Sequence, residues 1–170
     1  MTDSVSAFEK VQSPPRLAAI ADLGLKNPAP DPVLQELADE AARRLDLPTG
    51  LVTIVLDSAQ VFAAQHGLSG WIAEAGGVPV EWSFCANSVR TGEPLVIEDA
   101  TTHPLVRDNP LVVHEGIRCY AGVPLVTSTG EVLGNLCVVG TEARSFSEQD
   151  LELLHGLARQ ALERIEARRS

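Results

Sequence analysis

The side chains best suited to covalent chemistry in this chain of 170 residues are three cysteines, Cys85, Cys119 and Cys137. Their odd number, and the lack of any CxxC pair, argue against a disulfide framework and against a zinc site, whose ligands come in close pairs. Two fates remain for them: small apolar residues in a core, the commoner one, or reactive thiols with a redox role. Cys85 has the best setting for reactivity. It falls in the first turn of a helix expected over residues 83–90, and the positive end of a helix dipole lowers a thiol pKa. Cys119 follows Arg118, but consecutive side chains of a strand point to opposite faces, so the guanidinium need not touch that sulfur. Cys119 and Cys137 fall on the two arms of an expected hairpin, and whether they share a face depends on a register the spacing leaves open.

Other chemistry finds little support. His66, His103, His114 and His155 are scattered without metal-ligand spacing and read as surface or hydrogen-bonded side chains. Glu98 and Asp99 are adjacent at a strand end, which suits a turn or cap better than a general acid/base pair, because such a pair needs two different environments. No glycine-rich phosphate loop, HExxH or GxSxG occurs. The residues therefore predict no metal site and name no cofactor. Against 23 acidic residues stand 13 basic ones, a net charge of −10 that is shared by both halves of the chain. A field of that sign repels phosphate backbones and anionic lipid, so neither nucleic acid nor a membrane surface is an expected partner. The chain has no apolar run long enough to span a bilayer, and MTDSVSAFEK lacks the basic and apolar regions of a signal peptide; we expect a cytoplasmic protein.

The elements that would position these residues follow from periodicity. Residues 1–15 are polar, end in Pro14-Pro15, and read as a mobile lead-in to a single domain over 16–168, whose first helix spans 16–23. A second helix starts with Asp31 as N-cap and Pro32 at its first position, and carries Leu34, Leu37, Ala38, Ala41 and Leu45 on one stripe. Asp39 with Arg43 and Glu40 with Arg44 are acid-before-base pairs on its far side. Residues 51–56 and 60–64 read as a hairpin, 67–81 as a loop rich in glycine, 94–97 as a strand, and 99–116 as a partly helical excursion. Residues 117–126 and 132–139 form a second hairpin, with a bulge or edge expected at Pro124. The last helix opens on Ser147 with Asp150 three residues on, a box-like cap. Its apolar face is wider than one stripe, which suggests a second surface to bury, against a partner. Hairpins imply antiparallel pairing, so the class is α+β, an antiparallel sheet with helices packed on it.

One concatenation of segments is specific. Residues 83–89 (SFCANSV), 94–100 (PLVIEDA), His103-Pro104, Asp108-Asn109-Pro110, 116–125 (GIRCYAGVPL) and 134–139 (GNLCVV) together resemble a GAF domain, over roughly residues 16–166. The resemblance is to the bacterial sensory subgroup. It implies a six-stranded antiparallel sheet, terminal helices on one face, and on the other a ligand pocket roofed by residues 82–92 and 99–116. It places Phe84, Cys85, Asp99, Asn109, Arg118 and Tyr120 around that pocket, either touching a small-molecule ligand or anchoring loops. It further implies a homodimer through the terminal helices. We expect no kinase or cyclase segment beyond Ser170, and output to pass through that dimer or a signalling partner. Where the family carries an aromatic residue the chain has Cys119, which would put a thiol where a ring fills space. The bilin-attachment Cys-His pair and the cyclic-nucleotide signature are absent. Two alternatives accompany the sensory reading: a thiol enzyme resembling the free methionine-R-sulfoxide reductases, with Cys119 at the site, and a dimerisation module whose pocket is filled by Trp71, Trp82 and Phe84.

Overall fold

The computed structural model describes residues 10–167. Its helices are α1 (Pro14–Asp22), α2 (Pro32–Arg44), α3 (Gly70–Ala75), α4 (Ala86–Thr91), α5 (Pro110–Val113) and α6 (Glu148–Ala167), and its strands β1 (Thr49–Val55), β2 (Ala59–His66), β3 (Gly77–Pro79), β4 (Leu95–Ile97), β5 (Cys119–Val126) and β6 (Val132–Gly140). The strands form one sheet of six in the order β3-β2-β1-β6-β5-β4, every neighbour antiparallel. Between strands, residues of β1, β5 and β6 alternate between two cores. Val52, Ile54, Ala121, Val123, Leu136 and Val138 pack under α1, α2 and α6, whereas Leu51, Val55, Tyr120, Cys137 and Val139 face α3, α4 and α5.

The two long helices form as their caps dictate. The Asp31 carboxylate accepts from the Val33 and Leu34 amides at 2.9 and 3.4 Å, and Leu34, Leu37, Ala38 and Ala41 are buried. Ser147 and Asp150 make a reciprocal box: the Ser147 amide donates to the Asp150 carboxylate at 3.0 Å, and the Asp150 amide to the Ser147 hydroxyl at 3.1 Å. Near the other end of α6, Arg164 donates to both Asp31 oxygens at 3.0 and 3.3 Å, joining the two helices. Glu40 pairs with Arg44 at 3.3 Å, but Asp39 turns from Arg43 to accept from Gln35 at 2.9 Å and meet His66 on β2 at 3.0 Å. The widened face of α6 is spent within this chain. Leu157 and Ala161 are buried, and Leu151, Leu153 and Leu162 are partly buried against the same core.

Several boundaries differ from expectation. The first helix begins at Pro14, because proline's missing N–H is no loss in a first turn. Val11, inside the segment read as mobile, is buried and its carbonyl accepts from Arg16 at 2.6 Å; residues 1–9 lie outside the described residues. The segment 67–81 is no plain loop but holds α3, the edge strand β3 and a 3-10 turn at Val80–Trp82. Three paired residues, one of them Gly77 where a Cβ would meet the Gln60 carbonyl at 2.3 Å, are too few to show alternation. Pro124 pairs with Asn135, two residues beyond Gly122, where β4 stops covering β5; the register shift falls one residue later, at Leu125/Val126.

Candidate functional site

A cavity of about 280 Å³ lies between the sheet face that carries Tyr120 and Cys137 and the segments α3, α4 and α5. Its walls are mainly Leu51, Phe62, Ile72, Val78, Phe84, Leu111, Ile117 and Val139, with Thr49, Gln60, Ser69, Cys85, Tyr120, Cys137 and Thr141 as the polar or thiol-bearing members. Glu115 supplies the charge in the lining, at the mouth, where it accepts from the Trp71 indole N–H at 3.3 Å. Trp71 also meets Trp82 edge to face, with ring centroids 5.7 Å apart. Trp71 is thus a rim residue, 46% exposed, and it leaves the interior open.

The inner wall is a buried hydrogen-bond network. Thr53 Oγ1 donates to Cys85 Sγ at 3.2 Å, and Cys85 Sγ lies 3.1 Å from Tyr120 Oη. Asn135 Nδ2 donates to Tyr120 Oη at 3.0 Å and to Ser88 Oγ at 3.2 Å, and Ser88 Oγ donates to the Glu93 carbonyl at 2.9 Å. Because Asn135 donates to the phenol oxygen, the phenol proton is left for the Cys85 sulfur. The Tyr120 ring lies over Gly122, where a Cβ would sit 2.3 Å from Tyr120 Oη and 2.8 Å from Asn135 Nδ2. Phe84 packs against the ring at 5.2 Å. Beside the network the Ser83 hydroxyl donates to the Gln60 side-chain oxygen.

This setting orders the thiols. Burial pushes Cys85 upward, but hydrogen bonds from Cys137, Thr53 and Tyr120 outweigh it and bring Cys85 below its ordinary value. Cys137 is pushed well up, first by its hydrogen bond to Cys85 and then by burial. Tyr120 is raised by burial and by the charge that the two sulfurs would carry. Cys85 is therefore the first of the three to ionise. The helix dipole invoked from the sequence has little part in this: α4 begins at Ala86 and is only 6 residues long, with Cys85 at its N-cap position and no side-chain cap bond.

The residues named from the sequence separate into two groups. Phe84, Cys85, Tyr120 and Cys137 line the cavity. Asp99, Asn109 and Arg118 do not line it, and hold its roof. Asp99 accepts from the Thr101 hydroxyl at 2.6 Å and amide at 3.0 Å, and these bonds, the hydroxyl's first, keep its carboxyl below the usual range. Asn109 caps α5 through the Leu111 amide at 2.9 Å and donates to the Trp82 carbonyl at 3.2 Å. Arg118 donates to the Val112 and Ile117 carbonyls, both at 2.9 Å. Cys119 stands apart on the other side of the sheet. A Cβ at Gly140 would lie 2.7 Å from its sulfur and 2.8 Å from Leu47, and burial pushes its thiol up against the opposing effect of Arg144. Strand parity gives the cavity side to Tyr120, so the expected thiol in place of a ring is not at the site. Thr53, Ser88, Gln60 and Asn135 join the site only in the fold; the sequence signal for two of them is a lone polar side chain inside an apolar run, Thr53 in β1 and Asn135 in β6. Among the described residues no three His, Cys, Asp or Glu side chains gather as metal ligands.

The GAF domain model matches residues 29–166. The chain belongs to the GAF domain family. It is similar to a cyclic di-GMP phosphodiesterase of Pseudomonas aeruginosa, 36% identical over 157 residues, which are 91% of this chain and 26% of that protein. The chain thus spans about a quarter of that relative. Among solved structures it is similar to the GAF domain of a phosphoenolpyruvate-protein phosphotransferase of Coxiella burnetii (TM-score 0.67, 19% identity, 99% of this chain and 93% of that one). It is also similar to the type II free methionine-R-sulfoxide reductase of Thermoplasma acidophilum (TM-score 0.63, 13% identity, 78% and 89%). At such identities these likenesses speak to the GAF fold alone, with its six-stranded sheet and its helices. No helix among the described residues is long and apolar enough to cross a membrane.

Proposed function

We propose that this GAF domain is a sensory module that takes a small, uncharged and largely apolar molecule into the cavity and passes its presence to a second protein surface through α1 and α6. The observation that carries this reading is the lining: apolar walls, a few hydroxyl, amide and thiol groups that can orient a guest, and no cationic side chain. A cyclic nucleotide or dinucleotide would bring phosphates with no positive partner, so the substrate named for the Pseudomonas relative does not transfer to this cavity. Signalling requires that the guest favour one conformer of the 99–116 roof, which Asn109 and Arg118 tie down. The receiver is a signalling partner or a second copy docked on the terminal helices.

Native mass spectrometry of the protein as isolated, with amide exchange before and after addition of small aromatic and heteroaromatic probes, tests this. Retained mass or probe-dependent protection of Phe84, Tyr120 and the 148–167 amides is expected. An unliganded mass together with unchanged exchange for every probe would sink the proposal.

A second reading is favoured by the adjacency of Cys85 and Cys137 in the cavity wall. Hydrogen peroxide entering there would take one electron pair from the two thiols, giving a disulfide and two waters. Thiol counting and peptide mapping after peroxide treatment separate it from ligand sensing. The thiol-enzyme alternative relied on Cys119, and that sulfur lies across the sheet from any guest. Turnover of a sulfoxide that depended on Cys119 would restore it.

A further inference from the structure

We propose that the pocket at the head of α1, between the β5–β6 turn and the end of α4, is a second binding site, built for a tetrahedral oxyanion such as a phosphate group. Its volume is about 240 Å³, close to that of the main cavity, but its chemistry is opposite. Lys10 and Arg16 from the head of α1 and Arg90 from the end of α4 line it, against one acid, Glu131. In a chain of net charge −10, three of the 13 basic side chains thus make a local surplus of positive charge.

Arg16 is the decisive residue. It is 2% exposed, its Nη1 donates to the Val132 carbonyl at 3.1 Å and its Nη2 to the Val11 carbonyl at 2.6 Å, while its buried Nε has no partner. Neither Glu131 nor any other carboxylate among the described residues comes within ion-pair distance of it. Burial pulls its pKa down to about 10, with Glu131 and Asp57 opposing, so it remains a cation at neutral pH. A buried charge held only by neutral carbonyls is an incomplete arrangement, and an anion in the pocket that Arg16 lines would complete it. Each terminal nitrogen spends one N–H on these carbonyls and keeps a second, so Arg16 retains three of its five N–H donors. The Ser13 hydroxyl joins Lys10, Arg16 and Arg90 in the lining, and three cations against one acid suit a multiply charged oxyanion such as phosphate better than a single carboxylate. An anion there would tie the start of α1 to α4, the helix that follows Cys85 in the wall of the main cavity.

Titration of the full chain with inorganic phosphate, followed by amide NMR, tests the site, with sodium acetate and sodium chloride at matched ionic strength as controls. Saturable shifts at residues 16, 90–92 and 130–132 are expected with phosphate and not with the controls. The Lys10→Ala/Arg90→Ala double variant, which alters side chains outside the core, should weaken the response at least tenfold. Arg16→Met should abolish it; if that variant does not fold, the double variant decides. Equal shifts with acetate or chloride, or phosphate binding that the double variant leaves unchanged, would overturn the proposal.

Discussion

Two buried cysteines in this chain differ in what surrounds the sulfur. Cys85 receives hydrogen bonds from Thr53 and Tyr120 inside a polar network, whereas Cys119 sits among Leu47 and backbone with its thiol pushed up by burial. Alkylation at mildly alkaline pH, read by peptide mass spectrometry, should therefore label Cys85 before Cys119. Tyr120→Phe removes a donor to that sulfur, so the Cys85 pKa should rise and its labelling slow. Loss of the hydroxyl also leaves Asn135 Nδ2 short of an acceptor, at a cost of about 1–3 kcal/mol in denaturant unfolding. Asp31 gives a pH-dependent case. Burial resists its ionisation, but Arg164 and the Val33 and Leu34 amides win and depress its pKa below 3.8. A depressed carboxylate contributes stability that is present above its unfolded value and is lost as pH falls through the folded one. Asp31→Ala should cost about 0.5–2 kcal/mol at pH 7, and the gap between variant and parent should close on acidification below about pH 4, where the unfolded carboxyl also protonates.

At the scale of elements, glycines set the closest approaches. A Cβ at Gly50 would lie 2.3 Å from the Ala38 carbonyl, so Gly50 lets α2 press directly on β1. Gly122 performs the same service for the Tyr120 ring. Gly122→Ala must drive that ring toward the cavity, and the strain should cost about 1–3 kcal/mol; thermal melting reads the loss, and probe affinity for the cavity should fall with it. The same elements show what patterning can and cannot reveal. Asp31, Pro32 and the Leu34-to-Ala41 stripe announce α2, and Ser147 with Asp150 announces the start of α6, because cap and period act within one turn of chain. The face on which Cys119 lies depends on pairing Cys119 with Gly140 and Gly122 with Cys137, a register settled by neighbours far away in sequence. β3 escaped for a related reason: its existence rests on β2. The cavity residues recognised from the family's segments divide in the fold, with Phe84, Cys85 and Tyr120 touching the space and Asp99, Asn109 and Arg118 holding its roof. Arg16 carried no such signal, since a lone arginine in an apolar helix reads as its solvent-facing member until the fold buries it.

For the whole molecule, the sheet separates a cavity on one side from the helices that would meet a partner on the other. Among the described residues the large apolar side chains that remain exposed are Val33, Trp71, Leu105 and Val113, and none belongs to α6. Self-association through α1 and α6 would therefore join mainly polar faces of two copies that each carry −10. Such a dimer should be weak and should strengthen as salt screens the repulsion, since the screening length shrinks from about 30 Å at 0.01 M to about 8 Å at 0.15 M. Sedimentation velocity across that range checks this, and a dimer that dissociates on adding salt would contradict it.

The flanks of the sheet carry a further consequence. Both outermost strands, β3 and β4, are only three residues long, and Pro79 and Pro94 stand at their ends. A newly made or crowded copy has almost no ladder on which to template another, so fibril-like growth is starved at both margins while the long central strands stay sealed between neighbours.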